Sequence, residues 1–133
     1  MAGSQKDASV DPMMGDSTSA MRISKSILTA MNQLYELERK VKKYDDPGDC
    51  TRNIDRMKDA FRELGLAYED PMGQAFKETR TDLEASISGA ATEDLIVVEV
   101  IKPIITFRLC DGTGEFSRVV QKGIVVVKSK KEH

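Results

Sequence analysis

Side-chain catalysis needs a nucleophile, a base or a metal within reach of one another, and the residues that could supply them are few. The single histidine is His133, in a charged C-terminal run, and the two cysteines, Cys50 and Cys110, lie far apart without CxxC spacing. Neither a zinc site of ordinary spacing nor a local Cys–His pair can be assembled from them. The carboxylate pairs Asp45–Asp46 and Glu69–Asp70 fall in connections, where cap and turn roles account for them. "DGTGEF" (111–116) contains a GxG, but no helix follows to hold a phosphate. It reads as a hairpin turn, since Asp-Gly tolerates the positive φ such turns require. The expectation is a protein without catalytic residues, metal or cofactor.

Bulk properties narrow the partners. The 133-residue chain carries a net charge of −2, with 32% charged residues, 5% aromatics and no Trp. Near-neutrality argues against general affinity for nucleic acid or an anionic membrane. Scarce aromatics suit exposed helices and a small core better than a deep ligand pocket. The longest apolar run, "GIVVV", falls far short of the ~20 residues a membrane helix needs, and no export signal is evident. A cytoplasmic protein is expected.

Patterning divides the chain into three parts. Residues 1–20 are small, polar and aperiodic, and read as a disordered tail. In 21–90, Ile23, Ile27, Ala30, Leu34, Leu37, Val41 and Tyr44 recur at 4-3-4-3 spacing, and "DDPGD" then stops the helix. Cys50, Ile54, Met57, Phe61 and Leu64 make a second seam, which Asp49 or Thr51 can cap and Gly65 can end. "EDPMGQAFKE" (69–78) looks like a third helix start, with Asp70 as N-cap and Pro71 at the first helical position. Two seams bury too little alone, so a helical hairpin completed as a four-helix bundle by dimerisation is expected, with Ile27, Leu34, Leu37, Val41, Ile54 and Phe61 at the dimer interface. Residues 91–133 are rich in β-branched residues and read as a small β domain of three or four strands with a basic tail. The fold class expected is α+β.

The order of these parts resembles the GrpE family, the nucleotide-exchange factors of DnaK-type chaperones. A helix ending in "RELG" is followed by "EDPMGQAF", a polar linker and a terminal β unit containing "SRVVQKGIVVVKSKK". Gly65 fits the family's helix-ending glycine, Asp70-Pro71 with Gln74-Ala75 its Asp-Pro motif, and Arg118 the arginine before its last strand. Gly73 stands where the family usually has His, and a polar stretch replaces its long paired helix. The resemblance implies a homodimeric co-chaperone whose β domain wedges open the chaperone's nucleotide-binding domain and releases ADP. It implies Arg118, Gly65, Asp70 and Pro71 as partner-binding residues. The alternative is a dimeric helical adaptor of similar fold without exchange activity.

Overall fold

The computed structural model describes residues 23–46, 48–111 and 114–131; the expected tail at 1–20 lies outside them. Helix α1 (Lys25–Lys43) begins where the Ser24 hydroxyl accepts from the Ile27 N–H at 3.2 Å. It ends with Lys40, Lys42 and Lys43 in its last turn, where cations complement the helix dipole. Asp46 joins it to helix α2 (Thr51–Glu63), its N–H donating to the Val41 carbonyl and its carboxylate accepting from the Thr51 N–H. Asp46, not Asp49 or Thr51, therefore supplies the side-chain bond at this helix start.

Six strands follow: β1 (Leu66–Glu69), β2 (Leu83–Ile87), β3 (Leu95–Lys102), β4 (Ile104–Asp111), β5 (Gly114–Gln121) and β6 (Gly123–Ser129). They form two three-stranded sheets, β1-β4-β5 and β2-β6-β3. All pairings are antiparallel except β2 with β6. Only Pro103 separates β3 from β4, and only Lys122 separates β5 from β6. Both arms therefore cross from one sheet to the other at these residues, and Pro103, lacking an N–H, suits such a break in a ladder. The β4–β5 register closes at Asp111 opposite Gly114, around the expected turn.

This architecture corrects the expected one. The described residues show no helical hairpin within a four-helix bundle and no coiled coil; two helices pack on a body that is mostly β. The helical stripes are covered from within the chain. Met31 packs with Leu66 and Ile105 of the first sheet, and Tyr35 with Val97, Val100, Ile104, Val125 and Val127. Leu34, Val41 and Ile54 join the helices to each other. The buried face of α1 is Met31, Leu34, Tyr35 and Val41, rotated from the expected seam so that Leu37 is 44% exposed. A sheet presents a broader surface than a partner helix and reaches flanking positions that a two-helix seam leaves out.

The span read as a third helix is also different. Asp70 Oδ1 accepts from the Met72 N–H in a turn, Gly73 takes φ +80°, and residues 73–76 run along the edge of β3. Gly73 N–H donates to Val97 O, Val97 N–H to Gln74 O, and Phe76 N–H to Leu95 O, each at 2.9 Å. Backbone pairing to a waiting edge overrides the helix-start signal of Asp-Pro. Strands β1 and β2 thus come from the span expected to be helical, and the described residues add them to the four strands found after residue 91, where three or four were expected.

Candidate protein-docking site

The β4–β5 ribbon projects Arg118 from a strand with an exposed outer edge. Ladder register sets Arg118 directly opposite Phe107, and Phe116 opposite Leu109, so these four side chains share one face. Phe107 is half-buried against the Met31–Leu66–Ile105 cluster, whereas Arg118 is exposed and makes no hydrogen bond or ion pair among the described residues. Phe116 and Val119 are 44% and 40% exposed, high for large apolar side chains on a strand. Arg108, on the other face, lies 3.6 Å from Glu115.

The ribbon's base is held to α1 by Gln121. Its amide exchanges two hydrogen bonds with the Asn32 amide, at 3.0 and 2.9 Å, and donates a third to the Pro103 carbonyl.

The other expected partner-binding residues are divided between two places. Gly65 ends α2 at φ +89°, packed against Phe107 and the Arg108 carbonyl, so it and Arg118 flank the same aromatic ring. Asp70 and Pro71 lie past the opposite end of β1, Asp70 in its turn and Pro71 buried. The structure does not bring all four into one patch. Of the expected dimer residues, Leu34, Val41 and Ile54 are buried within the chain, Ile27 and Phe61 are half-buried and Leu37 is exposed.

A polar cluster that periodicity did not point to ties the helices to β1. Tyr68 donates to Glu38 Oε1 at 2.6 Å, and Lys58 donates to Glu38 Oε2 at 3.1 Å while lying over the Tyr68 ring. Tyr35 meets Tyr68 edge-on, and Arg39 stacks on Tyr35 and donates to the Val100 carbonyl. Burial pushes the Tyr35 hydroxyl up to about 12, with the Asp70 charge adding to it. For Tyr68, burial and then the Glu38 hydrogen bond push the hydroxyl upward. The cluster reads as a structural tie, with its phenols held protonated.

Its charge state makes stability depend on pH. Burial alone would raise the Glu38 carboxyl, but the bonds from Tyr68 and Lys58 and the charges of Lys58 and Lys42 outweigh it and hold the carboxyl below its ordinary value. The Arg80 hydrogen bonds lower Asp82 against a smaller opposing effect of burial. A carboxyl depressed in the folded state stabilises above its unfolded pKa and loses that contribution as protons bind. The melting temperature should therefore fall between about pH 5 and pH 3, and Glu38→Gln should flatten that fall. An equally steep fall in the variant would assign it to other groups.

No protein-family model, no curated protein and no solved structure matches this chain. Among the described residues, no group of three or more His, Cys, Asp or Glu could hold a metal, and no helix is long and apolar enough to cross a membrane.

Proposed function

We propose that this chain is a GrpE-like nucleotide-exchange factor that docks on the nucleotide-binding domain of a DnaK-type chaperone through the β4–β5 ribbon. The observation that carries the reading is the exposed Arg118, without a hydrogen bond or ion pair among the described residues, beside Phe116 on an edge strand, at the position where the resemblance implies a partner contact. A planar guanidinium suits recognition of carboxylates and carbonyls, and an adjacent aromatic supplies the apolar anchor common at interfaces. Exchange of this kind needs no covalent step. Binding the open chaperone more tightly than the closed one shifts the population toward the state that releases ADP. A homodimer belongs to the same proposal, and the apolar side chains left outside by intrachain packing include Leu37 and Met57 on the helices, Leu64 just past α2, and Phe116 and Val119 on β5.

The test is ADP release from a DnaK-type chaperone with and without the protein. Wild type should accelerate it, and Arg118→Ala should weaken chaperone binding by about 1–3 kcal/mol, with a stability change under about 0.5 kcal/mol. Binding without acceleration would favour the adaptor alternative. Absence of binding would end the chaperone reading.

A further inference from the structure

The sheet edges of this fold are managed unequally. An uncovered strand edge offers unpaired N–H and C=O groups to any extended chain, and folds usually shorten, cover or charge such edges. β1 has four residues and β2 five. β3 has eight, but residues 73–76 hydrogen-bond along its first half, and Arg39 occupies the Val100 carbonyl. β5 also has eight residues, carries Glu115 and Arg118 but neither lysine nor proline, and pairs only with β4 among the described residues. Among the described residues it is the long edge left open.

We infer that two copies of this chain pair antiparallel through their β5 edges. Two features argue for a second copy as the occupant. The first is closure: pairing builds a six-stranded sheet, β1-β4-β5-β5-β4-β1, whose remaining edges are the four-residue β1 strands. The assembly is a closed two-fold dimer, with no long edge in that sheet left to propagate a filament. The second is self-complementarity. Copies related by a two-fold axis through Ser117 place Phe116 of each opposite Arg118 of the other, on one face. The exposed guanidinium and the exposed ring thereby become two symmetry-related cation–π pairs. Shifting the centre to Arg118 would oppose the two arginines, and shifting it to Phe116 would leave each arginine opposite Gly114.

The pairing does not depend on the chaperone reading. If both hold, they compete, because each uses Arg118, and a homodimer active in exchange would have to join its copies outside β5.

A charge exchange tests the register. Sedimentation equilibrium of the full chain should show a mass rising with concentration from one chain toward two. Phe116→Lys sets like charges opposite each other twice and should weaken association by about tenfold. Phe116→Glu pairs opposite charges twice and should preserve or tighten it. Phe116→Lys combined with Arg118→Glu should restore it. Both positions are exposed, so unchanged melting temperatures are expected and serve as the folding control. A wild type of one-chain mass at every concentration overturns the inference. So does association in Phe116→Lys equal to wild type, or failure of the double variant to recover. Dimerisation lost in Leu37→Glu but kept in Phe116→Lys would place the interface on the helices and overturn it as well.

Discussion

Replacing Ile105 with alanine should cost about 2–5 kcal/mol of stability, the range for truncating a fully buried aliphatic side chain. Ile105 is 0% exposed and lies on β4, the central strand of its sheet, where it packs with Met31 of α1 and Leu66 of β1. Three elements meet at this side chain, so the cavity left behind has little freedom to collapse. Because domains of this size are stable by only about 5–15 kcal/mol, one substitution should remove a large share of the total. The urea midpoint should fall with an unchanged m-value. A loss under about 1 kcal/mol would mean that α1 does not sit firmly on the sheet.

Gly65→Ala should be destabilising by about 2–3 kcal/mol, from two causes that can be separated. The backbone there is left-handed, at φ +89°. A Cβ would also stand 3.0 Å from the Arg108 carbonyl and 3.1 Å from the Phe107 ring. The turn is fixed on both sides, with Gly65 N–H donating to Arg62 O and Gly65 O accepting from Arg108 N–H at 2.7 Å, so the backbone cannot swing away. Gly73 is the control: its φ is +80°, but nothing lies within 4 Å of its Cβ position. Gly73→Ala should therefore carry the conformational cost alone, about 1 kcal/mol. Equal losses at the two glycines in chemical denaturation would show that the close approach at Gly65 is not limiting. The expected difference makes Gly65 a joint between α2 and β4 that supports the ring opposite Arg118.

The two helices were legible because their signals are local. Apolar residues recur along each helix, the lysines collect at the end of α1, and Gly65 stands just past α2 where a left-handed residue is needed. The same holds for the β-branched runs of β3 to β6 and for the Asp-Gly turn, whose ladder closes at Asp111 opposite Gly114. A chain without nearby neighbours can express these preferences, because they depend on backbone sterics and on hydrogen bonds within a few residues.

Tertiary structure decided what covers each apolar face. A 4-3 repeat states that a stripe must leave water, but a sheet satisfies it as well as another helix, and here β1, β4 and the second sheet take most of that place. "LEASI" carries little strand character and becomes β2 because β6 lies alongside it in parallel. Residues 73–76 extend along β3 despite the Asp-Pro before them, since backbone bonds to a ready edge outweigh a capping preference. Glu38 finds Lys58 and Tyr68 at 20 and 30 residues' remove, beyond any local pattern. Arg118 was picked out by resemblance. Its place opposite Phe107 on an open edge depends on β4 pairing outward while α1 covers the base, a choice made by burial over the whole chain and carried by no short segment of it.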